Sequence, residues 1–212
     1  MAKIKKHIPN SMTLFNIGLA IASILLTQSG EYVKAGGLIL VTVIVDCFDG
    51  YLARRFNSTS KIGGYLDTIA DFLSFSLAGG FLTMRVFDVH PVVIAVYVLA
   101  SAFRLWYFMR TKNTTHFYGV PTTVCGGFLA TVAILRPTTA FMTEMVLILS
   151  LLMLSRKKYF RLEIKNRKTL TFFIAAFLSL YVLDFMLAIQ AMSYLFLGYI
   201  ILGWLKVKDE EE

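Results

Sequence analysis

Residues 34–81, KAGGLILVTVIVDCFDGYLARRFNSTSKIGGYLDTIADFLSFSLAGGF, contain two apolar runs, 34–53 and 64–81. Each is close to the roughly 20 residues that a helix needs to cross the hydrocarbon layer. Only a short polar connection with Arg54, Arg55 and Lys61 lies between them, so the two helices are expected to be antiparallel neighbours. Six further runs of similar character flank this pair, at 11–28, 91–109, 119–135, 139–154, 169–188 and 192–205. Hydrophobic residues make up 57% of the 212 and charged residues only 16%, too few to coat a soluble domain of this size. The sequence therefore predicts an all-α, polytopic transmembrane helical bundle.

Charge sets its orientation. Lys3, Lys5, Lys6, Arg54, Arg55, Lys61, Arg110, Lys112, the basic stretch from Arg156 to Lys168, Lys206 and Lys208 all fall on one side of such a bundle. The opposite loops hold Lys34, Arg85 and Arg136. The positive-inside rule then predicts an integral, multi-pass protein of the cell membrane with both termini in the cytoplasm. The net charge of +8 reads as topology and contact with anionic lipid, and nucleic acid is not an expected partner. Lys3, Lys5 and Lys6 precede an apolar run as in a secretory signal, but Pro9-Asn10-Ser11 intervenes and the run is long enough to span. Asn10 or Ser11 is expected to cap this first helix and offer its unpaired N–H groups to an anion. Cys47 and Cys125 lie inside apolar runs and read as buried small residues rather than a disulfide. The basic stretch divides the chain into a six-helix unit over 1–155, a cytoplasmic linker over 156–168, and a C-terminal hairpin with an acidic tail over 169–212.

Acids at membrane depth are costly enough to demand a function. Asp46 and Asp49 stand three residues apart, and Gly50, Ala53 and Arg54 continue the same helical face. Gly63, Asp67 and Asp71, each four apart, form one stripe on the next helix. Facing carboxylates repel unless a metal neutralises them, and hard oxygen donors without nearby Cys or His select Mg2+, Mn2+ or Ca2+ over zinc. The small residues let the helices approach or leave room for a bulky ligand, and Arg54 supplies a phosphate-directed cation. A structural role accounts for one Asp–Arg pair, not for four acids. The rival is a carboxylate-lined cation transporter, which would want polar residues through the full depth of the membrane. Asp184, in the seventh run, is the only other deep acid.

The pattern Asp46-x2-Asp49-Gly50-x2-Ala53-Arg54-x8-Gly63-x3-Asp67-x3-Asp71 resembles the complete signature of the CDP-alcohol phosphotransferase family. The resemblance implies a six-helix transmembrane core, here with two C-terminal transmembrane helices added, that is homodimeric and has a cavity open to the cytoplasm. It implies that Asp46, Asp49 and Asp67 bind one divalent cation and Asp46, Asp67 and Asp71 a second. The pair would be Mg2+ or Mn2+, with Ca2+ a non-productive occupant. Asp71 would be the catalytic general base, and Asn10, Thr13, Gly50, Ala53, Arg54, Ser60 and Gly63 would hold the CDP-lipid.

Within the family, three segments resemble the bacterial and archaeal type of phosphatidylserine synthase: Leu66 to Phe75, Phe103 to Thr122, and Leu152 to Arg156. CDP-diacylglycerol and L-serine are then the expected substrates, drawn from among the membrane lipids and the cytoplasm. Ser76, Met109, Thr123 and Ala78-Gly79-Gly80 depart from that subfamily's pattern, which keeps glycerol 3-phosphate and inositol phosphate as rival acceptors. Arg104, with Gly119 and Pro121, is expected at the acceptor site, where a carboxylate or phosphate suits a lone intramembrane arginine. Its alternative is to snorkel to the interface.

Overall fold

The computed structural model describes residues 2–55, 61–111, 116–136, 141–160 and 184–205. Its helices are α1 (Ala2–Gln28), α2 (Tyr32–Arg55), α3 (Lys61–Asp71), α4 (Gly79–Phe87), α5 (Pro91–Thr111), α6 (Thr122–Leu135), α7 (Met142–Leu154) and α8 (Phe185–Leu205). Among the described residues, four stretches, Ser11–Gln28, Ile62–Phe87, Pro91–Thr111 and Phe185–Trp204, are long and apolar enough to cross a membrane. With the shorter apolar α6 and α7 they make the all-α, multi-pass bundle that the sequence predicts.

Between α3 and α4 the chain widens into a π-helix over Phe72–Ala78, so the third span is continuous. A π turn misaligns backbone partners and persists only where its neighbours support it. Here the Tyr97 hydroxyl of α5 donates to the Phe75 carbonyl at 3.1 Å. Ser76 and Ser101 share a hydroxyl–hydroxyl hydrogen bond between the π segment and α5. On the far side, a Cβ on Gly126 of α6 would lie 2.6 Å from the Phe75 Cα, so only glycine lets the π segment close on α6.

The next residue in α6, Gly127, receives α8: a Cβ there would lie 2.6 Å from Phe196 Cζ. Wedged between the two, α6 is buried from Cys125 through Ile134 and forms the centre of the core. The α1–α2 hairpin turns at Gly30, whose φ of 83° suits glycine. The Gly30 N–H reaches Thr27 O at 3.2 Å and the Glu31 N–H reaches Leu26 O at 2.9 Å, which satisfies the carbonyls at the end of α1.

Three details differ from the sequence expectation. α1 begins at Ala2, so Asn10 and Ser11 lie inside the helix and do not cap it. Asp184 is exposed and caps α8, its Oδ1 accepting from the N–H groups of Met186 at 2.8 Å and Leu187 at 3.1 Å. It is therefore no deep acid, and residues 185–188 open the last helix rather than close the seventh run. The rest of that run, 169–183, lies outside the described residues, as do 161–168 of the linker. Lastly, two short strands, β1 (His116–Tyr118) and β2 (Lys158–Phe160), pair antiparallel with Phe117 opposite Tyr159. The start of the expected linker is thus tied to the α5–α6 connection.

Candidate active site

The α2–α3 hairpin brings Asp46, Asp49 and Asp67 together, with one carboxylate oxygen from each within 4.8 Å of the others. Asp49 is buried, at 5% exposure, while Asp46 and Asp67 are half-buried. Three carboxylates this close repel strongly in a medium that solvates charge poorly. A divalent cation relieves the repulsion, and the all-oxygen donor set fits a hard ion. The Thr13 hydroxyl of α1 donates to Asp49 Oδ2 at 3.2 Å, which ties the first helix to that carboxylate.

Asp71 stands one turn beyond Asp67, at the junction with the π segment. It does not join the group of three, but its carboxylate feels the charges of Asp46, Asp67, Arg104 and Asp49. Asp71 is therefore within electrostatic range of both the acidic cluster and Arg104. Arg104 of α5 is 7% exposed, so it is held inside the bundle and does not snorkel. Its Nη1 donates to Thr122 Oγ1 at 3.2 Å, at the start of α6.

Gly119 and Pro121 build the approach to Thr122. Gly119 has φ 71°, and its N–H bonds to Lys157 O at 3.0 Å while the Val120 N–H bonds to Leu152 O at 3.2 Å. A Cβ on Gly119 would run into the Met153 carbonyl oxygen, so the turn requires glycine. The Pro121 carbonyl then accepts from the N–H groups of Val124 and Cys125, both at 3.1 Å, and starts α6.

Of the residues expected from the sequence to hold the CDP-lipid, Thr13 meets the cluster through Asp49. Gly50 follows Asp49 on α2, and Gly63 lies one turn before Asp67 on α3. Asn10 lies on α1, Ala53 and Arg54 close α2, and Ser60 falls outside the described residues. Cys47 is exposed and Cys125 buried, and no disulfide joins them.

Sequence reasoning passed over Thr122, Asn16, Tyr159 and Tyr199. Asn16 is 3% exposed, on the buried α1 stripe of Thr13, Asn16, Ala20, Ser23 and Thr27. That stripe's spacing of three and four was a readable sign of a packed face. Nothing local marks the two tyrosines, which the ribbon and the last helix bring to ring centroids 6.1 Å apart.

The model of the CDP-alcohol phosphatidyltransferase family matches residues 6–205. A CDP-diacylglycerol–serine O-phosphatidyltransferase of Helicobacter pylori is 28% identical, over 93% of this chain and 90% of its own. The protein of the same name from Methanocaldococcus jannaschii is 31% identical, over 75% of this chain and 77% of its own. A CDP-diacylglycerol–glycerol-3-phosphate 3-phosphatidyltransferase of Escherichia coli is 30% identical over 47% of this chain and 59% of its own.

Proposed function

The chain belongs to the CDP-alcohol phosphatidyltransferase family, and from that premise we propose that it transfers the phosphatidyl group of CDP-diacylglycerol to the hydroxyl of L-serine. The products are phosphatidylserine and CMP. Membership makes the chain an enzyme, which displaces the transporter reading. Two serine-named relatives that align along most of the chain support serine. The glycerol-3-phosphate relative aligns over less of it. The observation that carries the reading is Arg104, a buried cation within electrostatic reach of Asp71. A carboxylate-bearing alcohol bound to Arg104 brings its hydroxyl to the Asp71 side.

In this reading Asp46, Asp49 and Asp67 would hold one divalent cation and Asp46, Asp67 and Asp71 a second, as Mg2+ or Mn2+. Such ions would supply charge neutralisation for a diphosphate and for the departing CMP. The remaining work falls to the chain's own residues. Asn10, Thr13, Gly50, Ala53, Arg54, Ser60 and Gly63 bind the CDP end of the lipid while its acyl chains stay in the bilayer. Arg104 binds the acceptor carboxylate, with Gly119 and Pro121 shaping the turn beside it. Asp71 accepts the serine hydroxyl proton as that oxygen bonds to the phosphorus of the phosphatidyl group. The bond from this phosphorus to the CMP oxygen breaks, and CMP leaves with the bonding electrons.

The same reading sets the site and both termini on the cytoplasmic side, supported by the excess of basic residues in those segments. It takes 1–155 as the unit that carries the aspartates and Arg104 and, by analogy with the family, a homodimer as the working form. The test is the head group of the lipid made from CDP-diacylglycerol and isotope-labelled serine, read by mass spectrometry. Labelled phosphatidylserine supports the assignment. A lipid formed only from glycerol 3-phosphate or inositol phosphate overturns the acceptor.

A further inference from the structure

We propose that Tyr159 of the β1–β2 ribbon and Tyr199 of the last helix complete the acceptor-alcohol site behind Arg104, with the Tyr159 hydroxyl donating a hydrogen bond to the bound acceptor. The proposal rests on Arg104 being the acceptor's anchor. Tyr159 is fully buried, and its hydroxyl meets no hydrogen-bonding partner among the described residues. Buried hydroxyls in native proteins are normally satisfied, so one that is not points to a ligand or water. Burial pushes its phenol up to about 12, so it stays protonated near neutral pH and is available as a donor.

Backbone register and two ring contacts fix Tyr159. Tyr159 pairs with Phe117 across the ribbon, and its ring centroid lies 6.1 Å from that of Tyr199. Its Cδ1–Cε1 edge rests on Gly203 of α8, where a Cβ would run into the ring. The Lys157 ammonium, two residues earlier, sits 3.6 Å over the Trp204 ring. The end of α8 is thus clamped by aromatic and cation–π contacts to the strand that also fixes Gly119. Arg104 lies within electrostatic range of Cys125 and Tyr199, and Tyr159 within range of the same two groups. Arg104 also bonds Thr122 at the start of α6, and the turn that leads into Thr122 is held by Lys157, two residues before Tyr159. The ribbon and the last helix therefore lie at the Arg104 end of α6.

The experiment uses the full-length enzyme in lipid nanodiscs, with CMP release measured against acceptor and CDP-diacylglycerol concentrations. Tyr159→Phe keeps the ring and removes the hydroxyl. We expect the serine KM to rise about 10-fold or more, as for a lost hydrogen bond to a charged group, with the CDP-diacylglycerol KM and the Tm unchanged. Gly203→Ala, which displaces the ring and keeps every polar group, is expected to raise the serine KM in the same direction. Unchanged serine KM in Tyr159→Phe overturns the proposal while leaving serine as the acceptor. An equal rise in both KM values, or a fall in Tm without a change in serine KM, also overturns it and makes the tyrosine structural. If the unaltered enzyme does not use serine at all, the acceptor reading is what fails. The same comparison is then run with the alcohol that is used, and an unchanged KM for that alcohol overturns the tyrosine role.

Discussion

Thr13 on α1 donates its hydroxyl to Asp49 Oδ2 on α2 at 3.2 Å, so the first helix orients a carboxylate of the acidic cluster. Partners of metal ligands hold ligand geometry, and their loss typically costs about 10- to 100-fold in metal affinity. Thr13→Val keeps the branched shape and removes the donor. The Mg2+ or Mn2+ concentration giving half-maximal CMP release should rise by at least about 10-fold on this basis. An unchanged metal requirement would detach Thr13 from the cluster.

Asp46→Ala, Asp49→Ala and Asp67→Ala should each lower turnover by at least about 100-fold, the scale of losing one charge-stabilising group from a preorganised site. Their metal-free Tm values should not fall, because each change removes one of three mutually repelling carboxylates held within 4.8 Å. Activity and thermal melts of the same preparations check both. Substantial turnover in any one of them at saturating metal would contradict the site.

Asp71→Asn should separate binding from chemistry. The amide preserves shape but cannot take a proton, so CMP release should fall by about 100-fold or more, as for loss of a general base. CDP-lipid binding, measured by titration, should be much less affected. Parallel loss of both would make Asp71 a ligand or a structural group rather than the base.

The apolar runs and the aspartates were legible because both are extreme. Long uncharged stretches have few alternatives to spanning, and carboxylates at spacings of three and four inside them stand out against the background. Asp184 misled for the same reason: flanked by apolar residues on both sides, it looked deep, yet it caps α8. The π segment after Asp71 has no residue-type signature, and its stability comes from Tyr97, Ser101 and Gly126, all distant in sequence. The ribbon was hidden by its own charge. Residues 156–158 read as a solvated basic linker, whereas pairing with β1 and packing on α8 seat Tyr159 in the core.

The adjacent glycines of α6 predict an ordered pair of stability losses. Gly126→Ala sets a Cβ 2.6 Å from the Phe75 Cα, which is backbone and cannot yield without moving the π segment. Gly127→Ala meets the tip of the Phe196 ring, which can rotate aside. Overpacking of this kind costs about 1–3 kcal/mol, and Gly126→Ala should lie at the upper end with Gly127→Ala well below it. Gly18→Ala meets nothing within 4 Å and serves as the control. Melting in detergent gives the order, and a larger loss at Gly127 would refute the packing argument.

In the proposed reaction CMP leaves CDP-diacylglycerol because the serine hydroxyl takes its place at the aspartate cluster. The direct measurement is metal-dependent CMP release by the purified enzyme with serine, glycerol 3-phosphate, inositol phosphate or water as the acceptor. The account predicts rapid release with serine, near-background release with the others, and none after chelation. Release no faster with serine than with water, alongside efficient use of another alcohol, would contradict it.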